Sequence, residues 1–253
     1  MTLDEIFSTA ETADQIEARE VEYYLKEWLP IPKASTSMIT SAGGIGKTML
    51  AIQIAIRIIA ENPDRKVLLW LTEDGKGQTK QRLNEILRTI VTTTDKKTVE
   101  KNITIIGAET GSYLVTTADE AKLKEKLLPY TLVVIDPLIA FYGYENENNN
   151  RDARTFMQIW NRTAIANSQS ILFLHHNNKA KENATARGAS DFINAVRLLY
   201  RMEYIENSRN RKIIVEKENG TAKLLLQGKE VERIVMPTEI IIEKKGKGGS
   251  DEW

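Results

Sequence analysis

The chain has 253 residues, 42% hydrophobic and 28% charged, enough apolar material for a sizeable core and too much for disorder throughout. Lysine plus arginine total 35 and aspartate plus glutamate 35, so no net field draws the whole molecule to nucleic acid or anionic lipid, and any phosphate site must be local. With no cysteine and only His175 and His176, disulfide frameworks, thiolate nucleophiles and cysteine- or histidine-rich zinc sites are excluded.

Residues 1–30 are charged and read as a lead-in helix, with Leu25, Trp28 and Leu29 before Pro30 and Pro32 break the pattern. The acidic start has no basic, then apolar, leader, and the apolar region Met49–Ala60 is interrupted by Gln53 and Arg57. It is far short of the roughly 20 residues that a membrane span needs. The expectation is a soluble protein of the reducing cytoplasm, with no membrane partner.

From here short apolar runs alternate with longer amphipathic ones, the pattern of strands joined by crossover helices. The fold class is α/β, with a mostly parallel central sheet flanked by helices. Strands are predicted at 37–40, 66–71, 103–106, 131–135 and 170–174, and helices at 47–59, 78–90, 118–128 and 156–166. After that the runs at 196–200, 212–215 and 223–226 follow each other with short gaps, predicting an antiparallel extension of the sheet. Residues 1–243 read as one domain and 244–253, rich in lysine and glycine, as a disordered tail.

Between the first strand and the first long helix stands Ser41-Ala42-Gly43-Gly44-Ile45-Gly46-Lys47-Thr48-Met49, a P-loop with serine in place of the usual first glycine. Gly43, Gly44 and Gly46 let the backbone turn its N–H groups toward phosphate oxygens, and the following helix presents its positive end to the same charge. Lys47 is placed to reach the β- and γ-phosphates, and the Thr48 hydroxyl to hold Mg²⁺. Ile45 and Met49 complete the nucleotide cradle.

The apolar strand ending in Asp136 supplies the second Mg²⁺-holding group expected of such a site. A water-positioning carboxylate is also needed. Glu73 and Asp74 both follow the strand 66–71, one strand–helix unit after the P-loop, and Glu73 is the preferred candidate; the position directly after Asp136 is Pro137. His175 and His176 end the strand after Asp136, at the carboxyl edge that faces the ligand crevice in parallel sheets. From there His176 can hydrogen-bond the γ-phosphate and report its loss to the following loop.

In this order the P-loop run, Glu73-Asp74 with Arg82-Leu83, Ile135-Asp136, Phe173-Leu174-His175-His176 and Ala186-Arg187-Gly188-Ala189-Ser190 leading to Val196-Arg197 resemble the plasmid-encoded RepA family of hexameric replicative helicases, within the RecA/DnaB-like group. The resemblance spans roughly residues 21–226. It implies a RecA-like P-loop ATPase core, a ring of six subunits with ATP between neighbours, and Lys47, Glu73, Asp136, His176 and Arg197 as catalytic residues. Arg197 matches an arginine finger inserted into the adjacent subunit's site, and Lys217 a second cation approaching the γ-phosphate. It further implies channel loops that bind single-stranded DNA, here through Lys179, Lys181 and Arg187, and a primase or initiator as partner. The loop 142–151 is the other channel candidate, with tyrosines able to stack on bases and Glu145 and Glu147 repelling phosphate. The alternative reading of the same core is an ATP-switched assembly or regulatory protein without unwinding activity.

Overall fold

The computed structural model describes residues 2–90, 94–144, 149–176, 190–205 and 211–219, and the backbone of 240–243. After a short helix α1 (Leu3–Phe7), a two-stranded hairpin β1 (Tyr23–Tyr24) and β2 (Ile31–Pro32) leads into β3 (Ser35–Ser41). There follow α2 (Lys47–Glu61), β4 (Val67–Leu71), α3 (Lys76–Thr89), α4 (Lys96–Asn102), β5 (Ile103–Ile106), α5 (Glu120–Leu127) and β6 (Leu132–Asp136). The chain continues through α6 (Asn150–Ala166), β7 (Ser170–His176), α7 (Ser190–Ala195), β8 (Leu198–Tyr204), β9 (Arg211–Glu218) and β10 (Ile240–Glu243).

The main sheet has eight strands in the order β10-β9-β8-β3-β7-β6-β4-β5. From β8 to β5 all neighbours are parallel; β9 is antiparallel to β8, and β10 is parallel to β9. β3 and β6 are buried along their whole length, as expected of parallel strands covered on both faces. One face packs against α2 through Leu50, Ile54 and Ile58 and against the β1–β2 hairpin through Tyr23, Tyr24 and Trp28. The other packs against α5 and α6 through Leu123, Phe156, Met157 and Trp160. Register brings strand ends level: Ser41 lies opposite His176, and Leu71 opposite Asp136. The residues that follow these strands therefore share one edge of the sheet.

The largest departure from the sequence reading is at the N-terminus. Helix is confined to Leu3–Phe7, while Leu25, Trp28 and Leu29 are buried on the hairpin and the turn joining its strands. Leu25 takes φ 53°, a left-handed conformation that ends any helix there. α6 begins at Asn150 because Asn149 accepts hydrogen bonds from the N–H groups of Arg151 and Asp152. α4, capped by Asp95, was not anticipated. β8 starts at Leu198, so Arg197 precedes it. The antiparallel β8–β9 pair matches expectation. The strand expected at 223–226, the tail 244–253, and Lys179, Lys181, Arg187, Glu145 and Glu147 lie outside the described residues. Among the described residues no helix is long and apolar enough to cross a membrane.

Candidate nucleotide site

The P-loop leaves β3 at Ser41 and re-enters helix at Lys47. Gly44 has φ 76° and Gly46 φ 107°, conformations that side chains rarely adopt, and nothing stands within 4 Å of a Cβ built on Gly43 or Gly44. The loop is thus an open cradle whose shape requires glycine. Lys47 is buried, and its Nζ donates to Ser41 Oγ at 2.8 Å, Ala42 O at 3.2 Å and Ser41 O at 3.4 Å. Burial lowers its pKa, opposed by the charges of Asp136 and Glu73.

Asp136 ends β6 and is 3% exposed. Its Oδ2 accepts a 2.7 Å hydrogen bond from Thr48 Oγ1, joining the first turn of α2 to the tip of β6. Desolvation pushes the Asp136 carboxyl up to about 6; the Thr48 hydrogen bond opposes this and Glu73 adds to it. A buried carboxylate held at that cost beside a hydroxyl and below an open phosphate cradle has the donor set for a divalent cation shared with phosphate oxygens.

Of the two carboxylates after β4, Asp74 is ion-paired to Arg82 of α3, which turns it toward the helix. Glu73 Oε1 lies 3.6 Å from His176 Nε2, and His176 Nδ1 lies 3.5 Å from Lys47 Nζ. Because an ammonium only donates, this spacing suits a neutral ring with Nδ1 toward Lys47 and Nε2–H toward Glu73. His175 faces inward, 2% exposed, with its ring 6.0 Å from that of Phe192. The structure thus brings together Lys47, Thr48, Glu73, Asp136 and His176.

Two predicted residues lie elsewhere. The N–H of Arg197 donates to Thr36 O and its guanidinium to Asn219 O. That is the amino end of β3, about 16 Å along the strand from the P-loop, so Arg197 cannot serve the site of its own chain. Lys217, paired with Leu199 near the same end, donates to the carbonyls of Ile193, Asn194 and Val196 at the end of α7. There it caps a helix, away from the P-loop of its own chain.

The family described as an AAA domain matches residues 3–182. The chain belongs to that family. No curated protein sequence matches it. Among solved structures, the crystal structure of the RadB recombinase is similar at a TM-score of 0.54 and 14% identity, covering 75% of this chain and 83% of that one. That likeness is one of fold, a RecA-like α/β core in this AAA-domain chain.

In this AAA-domain chain three supports of the site escaped the sequence reading. Ser41, at the first glycine position of the motif, accepts from Lys47 and donates to Ala42 O at 2.7 Å, so it parks the lysine. Arg211 of β9 donates to Ile45 O at 2.7 Å, stacks 3.9 Å from the ring of Tyr204, and Tyr204 Oη donates to Gly44 O at 3.3 Å. These contacts hold loop carbonyls outward. Glu109 accepts from Lys76 N at 2.9 Å and fits tightly against Gly75 and Gly107, fixing the start of α3 behind Glu73. Only the serine lay inside a recognisable motif.

Proposed function

We propose that the protein is an ATP-dependent helicase or translocase of the RepA-like hexameric type, hydrolysing Mg·ATP at subunit interfaces to move on single-stranded DNA. The observation that carries this reading is the convergence of Lys47, Glu73 and His176 within about 3.6 Å steps of one another at the mouth of the P-loop. Lys47 donates to Ser41 and Ala42; with triphosphate bound, its ammonium would exchange those partners for β- and γ-phosphate oxygens. Thr48 and Asp136 would hold Mg²⁺, which supplies charge neutralisation along the phosphates.

Glu73, more than half exposed, is positioned to orient a water against the γ-phosphate and take its proton. His176 stands between Glu73 and Lys47, so removal of the γ-phosphate changes its hydrogen-bonding and is passed to the segment that follows it in sequence. Lys179, Lys181 and Arg187 of that segment are the residues assigned to the DNA backbone. Arg197 acts in trans: its place at the far end of β3 supports a role at the neighbouring subunit's γ-phosphate, where a guanidinium stabilises the charge of phosphoryl transfer.

The test is the ATPase rate with and without single-stranded DNA, followed by strand displacement on a forked duplex. Stimulation by DNA and ATP-dependent unwinding are expected. Slow hydrolysis indifferent to DNA would replace this reading with an ATP-switched assembly protein.

A further inference from the structure

The Glu73 side chain is more than half exposed, and its carboxylate stands 3.6 Å from His176 Nε2, beyond hydrogen-bond length. Its aim is therefore set by the backbone of residues 72–76. At the front of that turn, Thr72 donates to the carbonyl of Asp136 twice, through its N–H at 2.8 Å and its Oγ1 at 3.2 Å. The rear is held by the turn that follows edge strand β5. There Ala108 N donates to Asp74 O at 2.9 Å, and the Glu109 carboxylate accepts from Lys76 N, through Oε1 at 2.9 Å and Oε2 at 3.2 Å.

Lys76 carries the first amide of α3, which has no acceptor within the helix. Gly75, at the cap position, has no side chain to supply one, so the acceptor comes from 33 positions further along the chain. Gly75 has φ -69° and Gly107 φ -110°, torsions open to any residue. Neither glycine is needed for its conformation; both make room. A Cβ on Gly75 would stand 2.8 Å from Glu109 Oε1, and one on Gly107 would stand 2.5 Å from Oε2 and 2.6 Å from Lys76 N. Two glycines far apart in sequence thus enclose one carboxylate.

We infer that Glu109 is a positioning residue for phosphoryl transfer: seated between Gly75 and Gly107, it fixes the first turn of α3 and with it the direction in which Glu73 leaves β4. The inference rests on the reading of Glu73 as the base of the ATPase. Without Glu109 the backbone behind Glu73 loses its charged anchor, while Lys47, Thr48 and Asp136 keep their own contacts. Nucleotide binding is then retained and the attacking water is misaligned, and a displacement of about 1 Å is enough to slow such a step markedly.

The test is steady-state ATPase kinetics on the full-length chain. Glu109→Ala should lower kcat about tenfold and leave KM for ATP within about twofold. Glu109→Gln, whose amide oxygen still accepts from Lys76 N, should restore most of the rate. Gly75→Ala, whose methyl displaces the carboxylate, should repeat the Glu109→Ala loss and add nothing to it in the double variant. In a Glu73→Gln background, Glu109→Ala should cost less than about twofold, because the group that it aims is gone. A wild-type kcat for Glu109→Ala, or the same loss with and without Glu73, overturns the positioning role alone. A wild-type kcat for Glu73→Gln overturns the base assignment and the positioning role with it. Glu109 is exposed, so its variants should keep the fold, and amide hydrogen exchange reads the clamp without nucleotide. Exchange at Lys76 should quicken in Glu109→Ala and stay slow in Glu109→Gln; equal rates in Glu109→Ala and wild type are a further overturning result.

Discussion

Thr48 Oγ1 and Asp136 Oδ2 are 2.7 Å apart, which means that a residue of the P-loop helix is the hydroxyl donor that partly offsets burial of the β6 carboxylate. The carboxyl still titrates near 6, against an ordinary 3.8. A raised folded-state pKa means that the native protein binds the proton more tightly than the unfolded chain. The associated stability is fully present below about 4 and is lost as pH rises to about 6. Two units correspond to about 3 kcal/mol. Asp136→Asn should therefore melt above the wild type at pH 7, with the gap closing toward pH 4, and should lose Mg²⁺-dependent nucleotide hydrolysis. Paired melting curves across that range check it; a gap independent of pH removes Asp136 as the cause.

Lys47→Met should abolish turnover and weaken ATP binding about 100-fold or more, since an ammonium in a largely dry site is among its strongest contacts. Titration with a fluorescent ATP analogue measures the second effect. Ser41→Ala removes one parking partner of the lysine and should leave the ATPase within about fivefold.

Glu73 and Asp74 are adjacent in sequence and separated in task. Glu73→Gln should retain ATP binding and lower kcat about 10² to 10⁴-fold. Asp74→Asn, which weakens the partly buried pair with Arg82, should cost about 1 kcal/mol of stability and leave kcat near wild type. Equal losses in both would end the assignment of the base to Glu73.

If Arg197 serves the neighbour, Arg197→Ala alone should bind ATP normally and turn over about 10³-fold more slowly. Mixed with Lys47→Met, which has an intact Arg197, activity should partly return, because some interfaces then combine an intact P-loop with an intact finger. Rate measurements over a series of mixing ratios decide between this and simple additivity.

Tyr200 is fully buried in β8, and its Oη donates to Pro30 O at 2.8 Å, tying the N-terminal hairpin to the main sheet. Burial pushes the phenol well above its usual range. Tyr200→Phe should cost about 1 to 3 kcal/mol by stranding the carbonyl of Pro30, read as a lower urea midpoint with an unchanged slope.

Motifs that are contiguous in the chain were readable before any coordinates: the run to Thr48, the β6 carboxylate, and the placement of Glu73 and His176 at strand ends all follow from strand–helix alternation. Arg211 and Tyr204 were not, because their contacts with Ile45 and Gly44 join strands that only the sheet order brings together. The N-terminus failed for a local reason. Leu25, Trp28 and Leu29 have helical spacing, yet a left-handed Leu25 and the packing of Trp28 beneath Arg57, with centres 4.4 Å apart, favour a turn. Lys217 lies on a strand that runs antiparallel, which delivers it, like Arg197, to the end of the sheet away from the P-loop of its own chain.

The Arg211–Ile45 and Tyr204–Gly44 bonds give the β8–β9 hairpin mechanical authority over the phosphate loop. A chain cut before residue 204 keeps every nucleotide motif but has lost the splint along the outer side of that loop, so its glycines regain the freedom that the intact molecule denies them. Strain applied to β9 from outside, by a partner or by a neighbouring subunit, reaches the carbonyl of Ile45 through the Arg211 guanidinium.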